Sequence, residues 1–296
     1  PKWFAEISHI ERSFGDLEGG KNIGQQNNTG YDGRGTRLRL SRKLSDDSNL
    51  VIGLQETFMD DVPRTHKTTD GLDWEGLSKG SEIWRRLDQK RNLYYGRIDW
   101  EDIEGFANSG QLILSLHSHY QERNRMKGSA GVPIGGDLQT FDLNDIGLVA
   151  RFEKEHFFGG ILAYGTELHH ENLSSGGYLF DASANLTTDL LQGPLAADAR
   201  YDRFATYLHY THEFNSGWSL QPGIRHSATK ADLRRFYEKN NDASTLFDPK
   251  EKKYQEIICS LRATKRFHDE LFFFGGFSQG FRPPTLYDLT STDETS

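Results

Sequence analysis

Apolar and polar residues alternate with a period of two along most of this chain, and no segment sustains the 3.6-residue apolar period of an amphipathic helix. Successive side chains of a β-strand point to opposite faces, so this alternation is typical of strands with one apolar and one polar face. The segments that show it are 2–13, 35–44, 49–59, 92–102, 111–122, 142–154, 158–171, 202–214, 217–229, 253–267 and 270–281. The pattern predicts an all-β chain of about eleven strands.

The alternation separates two sets of side chains within each predicted strand. In 202–214, Phe204 and Leu208 fall on one face, whereas Arg203 and His209 fall on the other. The other predicted strands follow the same division, and Arg, Glu, Lys and Gln recur on the polar side. Such a polar face is expected either on the outside of a soluble sandwich or along a water-filled lumen.

Short and long connections alternate between the predicted strands. The short ones are 45–48, 103–110, 155–157, 215–216 and 268–269, and the long ones are 14–34, 60–91, 123–141, 172–201 and 230–252. A soluble sandwich has short loops at both ends, whereas an outer-membrane barrel has short periplasmic turns and long extracellular loops. We therefore predict part of an antiparallel up-and-down transmembrane β-barrel, with a soluble all-β binding module as the alternative.

Aromatic residues strengthen the barrel prediction, because they cluster beside the short connections, where the girdle at a membrane interface would lie. They are Phe157, Phe158, Phe214, Trp218, Phe267 and Phe272. The first strand then runs toward the extracellular side, because a long loop follows it. Since strand direction alternates along the chain, the strand at 270–281 runs toward the extracellular side as well.

Composition excludes several other classes of protein. The single Cys259 rules out an intramolecular disulfide framework and every multi-cysteine zinc motif. The net charge of −8 and the lack of a long Lys/Arg block argue against a nucleic-acid partner. No glycine-flanked serine elbow or glycine-rich phosphate loop occurs, so we predict no enzymatic activity and no catalytic residue. A barrel hydrolase using His226 and Ser227 is disfavoured, because adjacent strand side chains point to opposite faces.

The stretch from Ser278 to Leu289 ends the last predicted strand abruptly. It follows the aromatic run 271–277, and Pro283 and Pro284 cannot donate hydrogen bonds to a neighbouring strand. We expect the prolines at the extracellular rim, followed by a loop rich in Ser, Thr and Asp.

This stretch resembles a motif of a known family. Residues 280–289, Gly-Phe-Arg-Pro-Pro-Thr-Leu-Tyr-Asp-Leu, are similar to the Gly-Phe-Arg-Ala-Pro-type motif in the barrel of TonB-dependent outer-membrane receptors, although proline stands here where alanine is commoner. Three further stretches, 164–171, 218–226 and 60–66, are similar to barrel segments of the same family. The resemblance covers nearly the whole chain.

The resemblance implies a receptor in the bacterial outer membrane that takes up a scarce nutrient. It implies that residues 1–296 are part of the barrel domain, and that the family's plug domain and C-terminal strands lie outside this sequence. The implied partners are the TonB complex acting through the plug, outer-membrane lipid, and a small ligand such as a ferric siderophore, haem or cobalamin. A ferric siderophore or similar iron source is the first expectation, a haem or haemoprotein receptor is the alternative, and no cofactor is expected.

Five residues are candidates for contacting the ligand: His117, His119, His169, Arg282 and Tyr287. The three histidines occupy positions on the polar face of their predicted strands, so they either approach a ligand in the lumen or simply line the lumen. Arg282 either binds an anionic group of the ligand or pairs with a neighbouring acid. Tyr287, like Trp74, is a loop aromatic that serves as a ligand platform or as a packing residue.

A metal site is not predicted. The run His169-His170-Glu171 contains suitable ligand types, but neighbouring side chains on a strand diverge and cannot easily share one ion.

Overall fold

The computed structural model describes residues 2–20, 23–65, 67–71, 79–103, 105–236, 249–268 and 270–291. Within them the chain forms one large antiparallel sheet, a separate two-stranded hairpin and one short helix. The strands are β1 (Trp3–Phe14), β2 (Leu17–Gly19), β3 (Gly24–Gln26), β4 (Tyr31–Lys43), β5 (Ser48–Pro63), β6 (Glu82–Trp100), β7 (Ser109–Ser129), β8 (Val132–Phe157), β9 (Gly160–Phe180), β10 (Leu186–Leu190), β11 (Asp198–Glu213), β12 (Trp218–Arg235), β13 (Lys250–His268) and β14 (Leu271–Ser278), and the helix α1 covers Leu286–Thr290. The predicted all-β class is confirmed.

Consecutive long strands are neighbours in the sheet, whose order is β1-β4-β5-β6-β7-β8-β9-β11-β12-β13-β14. Each pair is antiparallel, as simple turns between successive strands require. These eleven strands correspond one to one to the eleven predicted segments, so the up-and-down topology is confirmed. The short strand β10 pairs with β9, and β2 pairs with β3. Within the described residues, β1 and β14 are the two edges and the sheet does not close on itself.

The expected long loop at 123–141 is wrong. β7 and β8 stay paired through this region as far as Ser129 and Val132, and Ala130 and Gly131 turn the chain with positive φ angles of 49° and 80°. Alternation disappears here because polar residues and glycines occur on both faces of the strands, whereas backbone pairing needs no regular apolar face. β6, β9 and β12 also extend beyond their predicted ends toward the long connections.

The two faces predicted from parity are confirmed by register and exposure. Leu148, Leu168 and Phe204 lie directly opposite one another on β8, β9 and β11, on a face whose large apolar side chains are exposed. We call this the apolar face. On the other side, Asp145 lies opposite both His117 and Glu171, and we call this the polar face. Among the described residues, no helix has the length and apolar character needed to cross a membrane.

The chain turns back over the polar face after β14. The strand ends at Ser278, a few residues before the prolines, and residues 280–291, the return segment, contain α1. Leu286 packs with Leu173, Tyr201, Leu233 and Phe236 in the main buried apolar cluster. The expectation that this stretch is only loop is therefore wrong. Thr285 caps α1 through a capping box with Asp288, a Thr-x-x-Asp signal that is present in the sequence.

Candidate functional site

A cavity of about 410 Å³ lies between the return segment and the polar face of β9, β11 and β12. We call it the wall cavity. Its ionisable lining side chains are Glu167, His169 and Glu171 from β9, Arg203 from β11, Arg225 from β12 and Arg282 from the return segment. Its size is within the range of small-molecule sites, roughly 300–1,000 Å³. It is therefore the candidate functional site in the described part of the chain.

Hydrogen bonds fix the return segment as one wall of this cavity. The Tyr201 hydroxyl donates to the Pro284 carbonyl at 2.7 Å. The Thr290 hydroxyl accepts from the backbone N–H of Ala196 at 3.0 Å, and the Thr290 carbonyl accepts from the Gln192 amide at 3.2 Å. The return segment is thus tied both to β11 and to the connection that precedes it.

Arg282 pairs with an acid of its own segment. Its Nη2 lies 3.0 Å from Asp288 Oδ2, and the same carboxylate accepts the backbone N–H of Thr285 at 2.8 Å. The Thr285 N–H and hydroxyl, with Arg282 nearby, hold the pKa of Asp288 below its usual value. Arg282 nevertheless remains largely exposed and lines the wall cavity.

Two arginines on the sheet neutralise the two glutamates of β9. Arg203 Nη2 lies 2.6 Å from Glu171 Oε1, and Arg225 Nη2 lies 2.8 Å from Glu167 Oε2. Arg282 adds a third guanidinium at the cavity and is itself paired with Asp288, so each lining arginine has its own carboxylate partner. The N–H donors that these pairs leave unused suit an occupant that carries oxygen anions.

His169 is held in one orientation by its neighbours on β8. Its Nδ1 lies 2.9 Å from Asp145 Oδ2, and this carboxylate is almost completely buried. Gly147 makes room for the ring, since a Cβ there would lie only 2.9 Å from His169 Cε1. Because Nδ1 is bonded to the carboxylate, Nε2 is the ring nitrogen left for another partner.

The other two candidate histidines do not line the wall cavity. Arg91 Nε donates to His117 Nε2 at 2.9 Å, so that nitrogen is already engaged as an acceptor. The His119 ring packs edge to face against Phe141, with 5.3 Å between centroids. Tyr287 lies on α1 and is about half exposed, away from the cavity lining. Trp74 lies outside the described residues.

The predicted divergence of His169 and His170 is confirmed. His170 lies on the opposite face and its Nδ1 contacts Asp202 at 2.5 Å. In the part of the chain that the structure describes, no three His, Cys, Asp or Glu side chains are placed to hold a metal ion together. Ser227 accepts from Arg225 on the polar face, and the His226 ring lies near Phe204 on the apolar face.

The structure thus brings His169 and Arg282 to one cavity and leaves His117, His119 and Tyr287 apart from it. Sequence reasoning missed Glu167, Glu171, Arg203 and Arg225 as site residues. The two glutamates could have been found by parity, because they lie two residues before and after His169 on the same strand. The arginines could not, since only strand register places them beside it.

Comparison with known proteins identifies relatives by sequence pattern and by fold. A family model described as "TonB dependent receptor-like, beta-barrel" matches residues 10–295. No curated protein matches the sequence.

Three solved structures illustrate the likeness of fold. The FrpB iron transporter from Neisseria meningitidis (F3-3 variant) has 14% identity and a TM-score of 0.70, with 97% of this chain and 43% of that chain covered. The copper transporter OprC has 10% identity and a TM-score of 0.73, with 99% of this chain and 46% of that chain covered. The third structure is a double mutant of the Serratia marcescens hemophore receptor HasR in complex with its hemophore HasA and heme. It has 12% identity and a TM-score of 0.70, with 97% of this chain and 42% of that chain covered. The chain therefore spans less than half the length of each.

Proposed function

The chain belongs to the TonB-dependent receptor β-barrel family, and from this membership we propose that the protein is an outer-membrane receptor for the TonB-coupled uptake of a scarce nutrient, in the first place a ferric siderophore or similar iron source. In this proposal residues 1–296 are part of the barrel, and the rest of the protein supplies further strands and the plug on which TonB acts. The protein moves its ligand and performs no bond chemistry on it.

One observation carries the proposal: a single meander of strands exposes apolar side chains on one face and charged side chains on the other. Exposed large apolar residues such as Leu114, Leu168 and Phe204 suit contact with lipid acyl chains. The polar face, with Asp145, His169 and Arg203, suits a water-filled lumen. In a soluble module these large apolar side chains would be exposed to water as one continuous surface, which is unfavourable.

The three arginines that line the wall cavity suit a nutrient that carries oxygen anions. Ferric siderophores commonly present carboxylate, catecholate or hydroxamate oxygens, and guanidinium groups recognise such oxygen anions well. The iron transporter among the structural neighbours is consistent with this choice, although a likeness at 14% identity concerns the fold.

A haem or haemoprotein receptor is the second candidate. His169 favours it, because its Nε2 is the ring nitrogen left free by the Asp145 contact, and a free imidazole nitrogen can ligate haem iron. One structural neighbour is a hemophore receptor in complex with its hemophore and heme, which is consistent with this second candidate.

Uptake of radioactive iron by iron-starved cells tests the proposal. The complete receptor is expressed in a Gram-negative strain that lacks its own receptors, with and without a functional TonB. We expect accumulation of a ferric siderophore or of haem only when TonB is present. Equal accumulation in both strains for every iron source offered would contradict coupled uptake, and folding of the complete protein as a soluble monomer without detergent would contradict the barrel.

A further inference from the structure

A second cavity, of about 610 Å³, lies on the apolar face beside the short connections. It reaches from Phe106, in the connection between β6 and β7, past Phe152 and Tyr164 to Ile257 on β13. We call it the outer groove. Four strand spacings separate β8 from β13, so the groove spans about 19 Å across the sheet. In an outer-membrane barrel this face contacts lipid, and the groove therefore opens into the membrane and not into the lumen.

Two threonines line the middle of the outer groove. Thr166 and Thr206 lie directly opposite each other on β9 and β11. The rows on either side of them carry larger side chains: Tyr164 and Leu208, and Leu168 and Phe204. Each threonine hydroxyl donates to a backbone carbonyl of the neighbouring strand at 3.0 Å. Neither hydroxyl therefore needs a partner inside the groove, as contact with a hydrocarbon chain requires.

Phe106 closes the groove at the end nearest the short connections. Its carbonyl accepts the Tyr164 hydroxyl at 2.7 Å, and its ring packs edge to face on Phe152 with 5.1 Å between centroids. The Phe106 side chain is nevertheless 61% exposed. The connection is thus held against the outside of the sheet and presents an aromatic ring where interfacial aromatics meet lipid headgroups.

Lys154 places a positive charge at the same end of the groove. Its Nζ donates to the Gly105 carbonyl at 2.9 Å, and an ammonium has two further N–H donors. Across the described residues Lys154 makes no ion pair, and no carboxylate among them lines the groove. A lysine at this level of a membrane protein lays its apolar stem along the protein and directs its charge to the headgroups.

The groove rises from this charge toward the middle of the apolar face. Ile257, at the far end, is level with Ala150 of β8 through the strand pairing. Ala150 precedes Lys154 by four residues, on the side away from the short connections. A phospholipid has the same polarity, because its phosphate lies at the interface and its acyl chains extend toward the middle of the membrane.

These features select among possible occupants. A water-soluble ligand would reach the groove only through lipid. A lipid without a phosphate would leave Lys154 without an anionic partner. Lipopolysaccharide occupies the external leaflet, whereas the groove lies beside the short connections, which are periplasmic in outer-membrane barrels. A phospholipid of the periplasmic leaflet satisfies both the apolar groove and the charge at its end.

We propose that the outer groove binds one phospholipid of the periplasmic leaflet, with an acyl chain over Thr166 and Thr206 and the phosphate at Lys154 Nζ. This inference goes beyond the proposed function. It rests on the part of that proposal that makes the protein an outer-membrane barrel, and it is independent of the nutrient that is taken up.

Native mass spectrometry of the complete receptor tests the charged end of the site. The receptor is delipidated in detergent and titrated with dipalmitoyl phosphatidylglycerol and, separately, with dipalmitoylglycerol, which has the same chains and no phosphate. Lys154→Gln removes the charge. Lys265→Gln is the matched control, because Lys265 lies on the same face, also donates to a backbone carbonyl of a short connection, and does not line the groove.

We expect Lys154→Gln to weaken the first bound phosphatidylglycerol about tenfold, as loss of a charge-assisted contact does. Binding of dipalmitoylglycerol should be the same in this variant as in the unaltered receptor. Lys265→Gln should change neither lipid. Unaltered phosphatidylglycerol affinity in Lys154→Gln, or an equal loss in Lys265→Gln, would overturn the proposal. So would tighter Lys154-dependent binding of lipid A than of phosphatidylglycerol, since the occupant would then come from the external leaflet.

A second pair of variants tests the acyl-chain part of the groove. Thr206→Trp should displace both lipids, because the indole takes the volume that an acyl chain would fill. Ala263→Trp is the control, since Ala263 lies on the same face of β13 outside the groove. Unaltered binding in Thr206→Trp, or equal displacement in Ala263→Trp, would contradict the site. Should Thr206→Trp fail to fold, Thr206→Leu takes its place with a smaller loss in the same direction.

Iron uptake separates this proposal from the proposed function. TonB-dependent uptake by the unaltered receptor, with lipid binding insensitive to Lys154→Gln, would remove the lipid site and leave the receptor function. Lipid binding that depends on Lys154, in a protein that shows no TonB-dependent uptake of any iron source, would retain the lipid site and remove the receptor function.

Discussion

Two clusters on the polar face each combine three arginines with carboxylates, and they differ in how far solvent reaches them. The first, which we call the buried cluster, joins β6, β7 and β8 through Arg85, Arg123, Arg125, Glu82 and Asp137. Asp137 is only 1% exposed there and Arg123 only 2%. The second is the wall cavity, where the Arg203 side chain is 43% and that of Arg225 37% exposed.

The difference comes from what covers each set of charges. In the buried cluster Asp137 contacts Arg125 Nε at 2.5 Å and Arg123 Nη2 at 3.3 Å, so the acid and the bases neutralise one another within three adjacent strands. In the wall cavity the return segment spans the wall and leaves a space of about 410 Å³. Similar residues therefore stabilise the strands in one place and remain accessible to a ligand in the other.

Substitution of Asp137 by Asn has the largest expected effect. It removes the carboxylate that pairs with the buried Arg123 and with Arg125, although Arg125 keeps Glu82 at 3.1 Å. Breaking a buried ion pair costs about 3–5 kcal/mol. We expect the free energy of unfolding of the complete receptor, measured by urea titration in lipid vesicles, to fall by this amount. Glu167→Gln, the matched change in the wall cavity, should cost far less, and equal losses would show that the two clusters do not differ.

Substitution of Leu286 by Ala tests whether the return segment forms the cavity wall. Leu286 is 6% exposed within the main apolar cluster, and truncating a buried leucine costs about 2–5 kcal/mol. We expect amide hydrogen exchange to accelerate in residues 284–291 and to stay unchanged in β6, β7 and β8. Tyr287→Ala is the control because its side chain is about half exposed, and faster exchange in that variant would contradict this anchoring.

The sequence allowed the strands to be predicted wherever one face is apolar, because alternation then follows from burial. It failed at 123–141, where Arg123 and Arg125 share one face and the other face mixes Asn124 with Met126 and glycines, so strand pairing leaves no periodic signal in the sequence. The alternation of side chains along the strand also placed His169 on the polar face correctly. It could not place Arg203 beside it, because register is a property of the backbone ladder and no local pattern encodes the partner.

The return segment shows a different limit. Its strand ends at Ser278, before the prolines that were predicted to end it. The direction of the chain afterwards depends on contacts of Leu286 with Tyr201 and Leu233, which are more than fifty positions away in the sequence. The Thr285–Asp288 capping box is a local sequence signal for the start of α1 and gives no information on the direction of the chain. A local sequence signal can therefore mark where a helix begins, whereas the wall cavity arises from contacts between residues that are far apart in the sequence.

Lowering the pH tests the contacts of Asp288. Hydrogen bonds from Thr285, with Arg282 nearby, hold its pKa below the ordinary 3.8, so the folded state favours the ionised carboxylate. The stabilisation is fully present above that value and is lost as pH falls through the depressed pKa. We expect resistance of the return segment to an acid protease to decline below about pH 3.8. Asp288→Asn should show lower resistance with little dependence on pH, and a decline already near pH 6 would contradict this assignment.

Substitution of Arg225 by Gln has the smallest expected effect and sharpens the comparison most directly. It removes the partner of Glu167, as Asp137→Asn removes the partner of Arg125, but both side chains of this pair are more than a quarter exposed. Water can solvate the remaining carboxylate, and ion pairs of this exposure contribute about 0–1 kcal/mol. We therefore expect a loss of at most about 1 kcal/mol in the same urea titration. A loss near that of Asp137→Asn would mean that the wall cavity, like the buried cluster, exists to hold strands together, and its accessible arginines would then need no ligand to explain them.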